Sequence, residues 1–500
     1  MKMKKGLLML TFCAFTFSMY SQEATVLTPK QAETLLNELL DKKGLTGEDK
    51  IKYITDRVGT PAVTPQQAET LINELLGEQS IQLKKKDVSK TITKKEVVKK
   101  KPQKVAPLVE QTSKESNLSL VLSGEVDASI CNYTGSRFDS NIGPAQENSA
   151  TGEIPSFDIA LEYEFAPKWS VYAETEFVSG CGIQVDEISL SYKFHPSLSI
   201  KGGVLALPIG HCNNGYSYKD YFTTGDPEGE FSIIPCPFVE TGIGIFGDLK
   251  YDLSYELDIT TGLNPMSFTA HNFIQDATQG FKTNQTSIYS PGISGRITWA
   301  GIKGLRISAG GYYSANTAHN MPIFLDYRNF CLNTYYREFK VPATLLFADA
   351  EYTNNYFTIR GSYLHSFLEN TIPIADFFNS LDVRPEGLKY DGGLIGKQAV
   401  SYMGEIGFNI KKCFYPNTNG PVLIPFVHYE CYNPQHSVAK NTSEEAHPCS
   451  KVQALSFGMN WCPLDDITVK FNYTTRKLGD GGMNSMNDFN IGLAYELSVL

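Results

Sequence analysis

The chain has 500 residues, of which 42% are hydrophobic, 20% charged and 12% aromatic, with a formal net charge of −10. That acidic balance excludes a nucleic-acid partner held through its phosphates. Tyr (27) and Phe (29) far outnumber Trp (3), which suits either a large soluble β protein or a membrane barrel with aromatic girdles.

Residues 1–21 read as a secretory signal: MKMKK is a basic leader, GLLMLTFCAFTF an apolar stretch, and Ser21 before Gln22 meets the small-residue rule for cleavage. Bulky Phe12 and the short leader argue against acylation of Cys13. After residue 21 no run of 18 apolar residues occurs, so membrane residence requires a closed barrel. Loss of Cys13 leaves nine of the ten cysteines, an odd number that cannot all pair within the chain.

Residues 22–80 predict a periplasmic helical module. TPKQAETLLNELL at 28–40 recurs as TPQQAETLINELL at 64–76. Each copy opens with Thr as N-cap, Pro at the first helical position and Gln three residues after the cap. Leu35, Leu36, Leu39 and Leu40 make one apolar stripe, matched by Leu71, Ile72, Leu75 and Leu76. So thin a core suits either three short helices packed on each other or a module docked on a partner. Residues 81–117 form a linker whose 84–104 segment carries ten Lys against Asp87 and Glu96. Such a run is a solvated spacer or a contact to an anionic polymer or lipid surface. The 22–104 extension is therefore a candidate tether to peptidoglycan or to a periplasmic partner.

Residues 118–500 change to alternating segments. Strands are expected near 118–128, 155–165, 169–178, 184–194, 197–206, 240–247, 252–260, 288–299, 304–314, 344–352, 356–364, 400–411, 421–431, 452–461, 466–474 and 489–499, sixteen in all. FDIALEYEF sets Phe157, Ile159, Leu161, Tyr163 and Phe165 on one face. ITVKFNYT does the same with Ile467, Val469, Phe471 and Tyr473. Links such as His195-Pro196 are short at one rim, while most links at the other rim are long. Together these features predict an all-β fold: a sixteen-stranded antiparallel transmembrane barrel in the outer membrane, with its ends on the short-turn side. The bilayer is the expected partner of the apolar face.

Within this pattern, LSYKFHPSLSIKGGVLALPIG is followed by a long irregular run and then FSIIPCPFVETGIGIFG. This stretch resembles the phosphate-selective porin family of Gram-negative outer membranes, through Pro208-Ile209-Gly210, Ile233-Ile234-Pro235, Glu240 and Gly242 to Gly247. The resemblance implies a porin, general-diffusion or anion-selective, that is trimeric and narrowed by an inward-folded loop, here 207–239.

Strand parity tests the charge of that lumen. With apolar residues toward lipid, the inner face carries Glu125, Asp127, Asp158, Glu162, Glu164, Glu174, Glu176, Glu187, Asp252, Glu256, Asp258, Asp349, Glu351, Glu405 and Glu496. Against these acids stand Lys193, Lys201, Arg296, Arg306, Arg360 and Lys470. The loop adds Asp220, Asp226, Glu228 and Glu230 against Lys219. Rings of charge select by sign, so parity predicts a weak cation preference.

Other constellations have plainer readings. Gly242 to Gly247 fits GxGxxG, but the alternating DLKYDLSYELDI that follows opens no helix, so no nucleotide site is expected. Cys212 with Cys236, and Cys431 with Cys449, are candidate disulfides closing two loop bases, with free thiols as the alternative. His428, Cys431, His436, His447 and Cys449 lack the tight paired spacings of zinc ligands. No nucleophile elbow accompanies His365 or His428, so neither catalysis nor a cofactor is expected.

Overall fold

The computed structural model describes residues 118–178, 182–213, 215–279, 287–321, 324–326, 331–333, 340–381, 388–414, 420–439, 445–480 and 483–499. The signal, the 22–80 module and the 81–117 linker lie outside the described residues. In chain order come β1 (Leu118–Cys131), β2 (Ser149–Ala166), β3 (Trp169–Val178), β4 (Gly182–His195), β5 (Leu198–Ala206), β6 (Val239–Leu249), β7 (Leu253–Thr260), β8 (Gly292–Ile302) and β9 (Leu305–Ser314). A short separate ladder pairs β10 (Phe324–Asp326) with β11 (Cys331–Asn333). Then follow β12 (Ala343–Thr353), β13 (Phe357–Leu368), β14 (Gln398–Phe408), β15 (Val422–Ser437), β16 (Val452–Leu464), β17 (Ile467–Leu478) and β18 (Met486–Ser498).

Apart from the short ladder, the strands form one closed antiparallel barrel in sequence order, with β18 returning to β1 from Val121–Ser498 to Cys131–Asp488. All sixteen expected strands are present. Closure leaves no unpaired edge, which is the condition for a sheet to stand in hydrocarbon.

The sheet faces as parity requires. Ile188, Leu190 and Ile243 on the outside are 41%, 46% and 59% exposed, whereas Ser189 and Lys201 on the inside are 3% and 8% exposed. No driving force in water leaves such a belt bare, so this barrel spans a bilayer. Aromatics rim the belt. At the short-turn side Trp169 packs on Tyr192 at 4.7 Å, and Tyr192 on Phe194 at 4.6 Å. At the other side Tyr363, Tyr402, Tyr429 and Tyr473 are each more than a third exposed. Among the described residues no helix is long and apolar enough to cross a membrane.

Local chemistry explains the turns. Lys168 and Gly304 take positive φ (72° and 83°) in the tight β2–β3 and β8–β9 links. Two glycines of the GxGxxG run leave room for close neighbours of β6, one backbone and one side chain. A Cβ on Gly247 would lie 2.4 Å from the carbonyl carbon of Ser197, and one on Gly244 would overlap the Asp258 carboxylate.

Parity fails in two places. Asp252 is exposed in the β6–β7 turn with φ +56°, so it does not line the wall. The β3–β4 register shifts between Glu174 and Thr175, where Glu174 faces Glu187 but Thr175 faces Val185. That bulge brings in Asp186, which strict alternation assigns to the other face.

Candidate functional site: the constriction loop and its two walls

Residues 207–238 link β5 to β6 and fold into the barrel. The base is apolar: Leu207, Ile209, Ile233, Ile234 and Phe238 are fully buried, with Phe238 at 5.3 Å from the Tyr312 ring of β9. Asn213 clips the two legs together. Its amide donates to the Ile209 and Pro235 carbonyls (2.9 and 3.2 Å), and its oxygen accepts from the Phe238 amide at 2.7 Å. Gly210, at φ +78°, completes the turn after Pro208. Here the Glu230 carboxylate accepts from the His211 and Cys212 amides at 2.6 and 3.0 Å, and a Cβ on Gly210 would stand 2.6 Å from that same oxygen. The glycine is thus required by the carboxylate that pins the loop. Glu240 acts similarly at the head of β6, accepting from Thr260 and from the Gly262 amide at 2.9 Å.

One wall holds the loop through ionic contacts. Arg296 of β8 donates to the carbonyls of Pro208 (3.1 Å) and Gly210, and pairs with Asp349 of β12 at 3.3 Å. Tyr216 donates to Glu351 of β12 at 2.5 Å and accepts from Arg306 of β9. Arg360 of β13 joins Glu351 (3.3 Å), Glu405 of β14 (2.7 Å) and the Asp220 carbonyl (2.8 Å). His428 of β15 bridges Glu405 at 2.9 Å and Glu430 at 2.6 Å, and Glu430 accepts from the Glu228 and Gly229 amides at 3.1 and 2.6 Å. Arg476 of β17 grips both oxygens of Glu228 and also pairs with Asp488 at 2.9 Å. Burial opposes the charge of Glu228, but Arg476 beside it holds its carboxyl below the usual carboxylate range. Lys470 and Glu125 are both fully buried at 3.1 Å, and the same ammonium donates to the Tyr218 and Thr223 carbonyls at 2.6 and 2.8 Å. Burial also holds His211 neutral, at a pKa of about 3. The bases of this wall are thereby spent on carboxylates and on loop carbonyls.

The opposite wall is different in kind. Asp158, Glu162, Glu174, Glu176, Asp186 and Glu187 stand on β2–β4. Several of their hydrogen-bond partners are neutral: Ser123 on Asp158 (3.3 Å), Tyr172 on Glu174 (2.7 Å), Gln184 on Asp186 (3.3 Å) and Ser189 on Glu187 (2.6 Å). Lys201 of β5 supplies positive charge at the edge of this wall, bound to Glu256 of β7 at 2.5 Å, with Asp258 buried beside it. Tyr218 reaches across to Glu176 at 3.1 Å. Since Tyr216 holds β12 and Tyr218 holds β3, the loop crosses the lumen.

The sequence-derived residues sort cleanly against this geometry. Lys470, Arg296, Arg306, Arg360, Asp349, Glu228 and Glu230 are brought together at the loop and its seat. Asp220 caps its own turn, accepting from the Ser217 amide at 3.0 Å, and Lys219 reaches the Asp465 carbonyl at 3.2 Å. Asp226 lies on the loop, within electrostatic reach of Glu176, Glu125 and Lys470. Glu164 and Lys193 are exposed near the short-turn ends of their strands, away from the loop. Strand parity did not single out Arg476, His428, Glu430 or Asp488 as lumen residues. Continuing the β17 parity opposite to Ile467–Tyr473, namely Thr468, Lys470, Asn472 and Thr474, two residues further finds Arg476. Among the described residues no group of three or more His, Cys, Asp and Glu has metal-holding geometry.

Among the described residues, Cys131, Cys212, Cys236, Cys413, Cys431, Cys449 and Cys462 are free thiols. Cys431 and Cys449 are not joined: Cys431 sits in β15 opposite Tyr402, whereas the Cys449 thiol donates to the Ser140 and Asn141 carbonyls at 3.8 and 3.6 Å. The β14–β15–β16 ladder and the β1–β2 loop thus hold them apart. Cys212 and Cys236 are reduced here but lie side by side at the loop base.

No family model matches this chain. A protein of Aquifex aeolicus (strain VF5), described as uncharacterized, is 30% identical over 129 residues. The match covers 24% of this chain and 29% of that relative, so well under two thirds of the relative is spanned. Among solved structures, the chain is similar to an anion-selective porin from Comamonas acidovorans (9% identity, 77% of this chain and 100% of that one, TM-score 0.47). It is also similar to the outer membrane channel DcaP of Acinetobacter baumannii (10% identity, 78% and 100%, TM-score 0.44). A third is Pseudomonas putida OprB (10% identity, 76% and 94%, TM-score 0.43). At these identities the likeness is one of fold.

Above the constriction, long loops meet in an aromatic stack. Phe138 lies on His271 at 3.9 Å and against His447 at 5.2 Å, with the Arg137 guanidinium 4.5 Å over the Phe138 ring. Asp391 pairs with His271 at 3.2 Å, and Asp139 lies close by. Burial lowers both histidines; Arg137 lowers both further, and Asp391 opposes this only at His271. A pKa lowered on folding means the stack is fully stable above the unfolded value of about 6.5 and weakens as pH falls below it. Acidification from pH 7.5 to 5 is expected to increase gating flicker in single-channel records. The His271→Phe/His447→Phe variant, which stacks without titrating, is expected to lose that response; an equal acid response would contradict the assignment.

Proposed function

We infer that this barrel is an outer-membrane porin that lets small hydrophilic solutes and ions diffuse through a lumen narrowed by loop 207–238. The observation that carries this reading is the asymmetry of the two walls. The bases of β8–β17 are bound to acids and loop carbonyls, so the field left along the passage is that of the β2–β4 carboxylates. Fixed charge of one sign at a narrowing favours the opposite ion, hence a weak cation preference. The motif resemblance to phosphate-selective porins points toward anions and toward a trimer. The acidic wall argues against the first; crosslinking of the purified protein tests the second.

Proteoliposome swelling with uncharged sugars of rising size tests conduction. Swelling that stops at a size cutoff supports a porin, and no swelling with any sugar removes the reading. A second reading concerns residues 22–104. The start of β1 and the end of β18 lie on the short-turn side; in this reading that side faces the periplasm and residues 22–104 tether the barrel to peptidoglycan or to a partner. A chain lacking 22–104 that swells normally while the cell envelope weakens supports the tether. An intact envelope counts against it.

A further inference from the structure

We propose that the long-loop rim of β12–β17 binds the phosphate-bearing headgroup of an anionic lipid in the leaflet facing those loops. Six strands adjacent in the barrel each carry a basic residue within three positions of that end. These are Lys340 before β12, His365 in β13, Lys397 before β14, His436 in β15, Lys451 before β16 and Lys477 in β17. The same ends of β1–β9 and β18 carry no Lys, Arg or His within that distance. The basic sector is therefore a local feature and not a property of the whole rim.

The sector is continuous. The Lys397 amide donates to the Ser437 carbonyl at 2.7 Å, and its carbonyl accepts from the Leu368 amide at 2.9 Å, tying the ends of β13 and β15 to the head of β14. The Lys451 carbonyl accepts from the Gly479 amide just beyond β17 at 2.8 Å. The His365 and His436 rings lie 6.1 Å apart. Lys340, Lys397, His436 and Lys477 are exposed. The neighbouring acids are Glu369 and Asp480; Asp480 takes Lys451 at 2.9 Å, the one ion pair among the described residues of this sector.

Position decides the partner. Tyr363, Tyr402, Tyr429 and Tyr473 face outward on β13, β14, β15 and β17 and mark the edge of the hydrocarbon. Lysines just past such a girdle lay their stems on the apolar belt and place their ammonium groups among the headgroups. Positive charge at that depth attracts anionic headgroups. This inference needs a barrel in a bilayer but not conduction, so channel records on the same variants separate its failure from failure of the porin reading.

The test uses the full chain in maltoside micelles, native mass spectrometry, and three probes: bis-phosphorylated lipid A, its dephosphorylated counterpart, and inorganic phosphate. The wild type is expected to retain the phosphorylated lipid. Lys340→Gln/Lys397→Gln/Lys451→Gln/Lys477→Gln is expected to weaken retention at least ~10-fold. The matching Lys→Arg variant, and Lys→Gln at the short-turn residues Lys168, Lys193, Lys250 and Lys303, are expected to retain it. Heat-modifiable gel mobility checks folding; should the Gln variant misfold, the wild type's choice between the two lipids decides. Undiminished retention by the Gln variant, or equal binding of dephosphorylated lipid, would overturn the proposal. So would displacement by millimolar inorganic phosphate, which would indicate a free-anion site.

Discussion

Replacing Lys470 with Ala is expected to release the constriction loop. Lys470 and Glu125 are fully buried, and the ammonium is shared among the carboxylate and two loop carbonyls. Glu125 in turn accepts from the Gly225 amide at 3.3 Å, so the pair holds both the wall and the loop. Removing one member of a buried pair costs about 3–5 kcal/mol, because the other charge is left without compensation. The loss falls on the loop seat, since the ladder hydrogen bonds of the barrel are untouched. Single-channel records should show larger mean conductance and more open-state noise. Lys470→Met with Glu125→Leu removes both charges and should recover much of the quiet conductance. A lone Lys470→Ala channel as quiet and as narrow as wild type would show that this pair does not seat the loop.

The second large effect concerns the opposite wall. Asp158→Asn, Glu174→Gln and Asp186→Asn together are expected to bring the potassium-to-chloride permeability ratio down toward unity. These carboxylates accept from neutral groups, so neutralising them removes field from the passage without breaking an ion pair. At about 1 kcal/mol of cation attraction lost from the three together after screening by salt, the ratio is expected to fall about fivefold. Glu228→Gln is the contrasting case. That carboxylate is gripped by Arg476, so its loss should disturb the loop more than the selectivity. An unchanged ratio in the triple variant would place the selective field elsewhere.

Much of the barrel was legible because its signal is local and repeated. Alternation of period two in strands such as Phe157–Phe165 and Ile467–Tyr473 fixed face, count and order, since a one-residue slip would turn a whole strand inside out. Strand ends were less legible. β13, β15 and β17 run on to Leu368, Ser437 and Leu478, because ladder pairing with neighbours outlasts apolar alternation. Asp186 was hidden by a bulge, which no periodicity reports. The seat was half visible: Lys470 and Arg360 follow from parity, but their engagement by carbonyls of Tyr218, Thr223 and Asp220 is a long-range event with no sequence period. Gly210 and Glu230 illustrate the same point, being separated by a long stretch of irregular chain yet joined at one turn.

The most direct measurement is the zero-current potential of the purified channel in a planar bilayer under a tenfold potassium chloride gradient, repeated with potassium gluconate and with arginine chloride. An acidic passage beside a neutralised basic wall predicts a potential of cation-selective sign that survives gluconate and collapses in the Asp158→Asn/Glu174→Gln/Asp186→Asn variant. A potential of anion-selective sign in the wild type, or one that phosphate enhances, would contradict it.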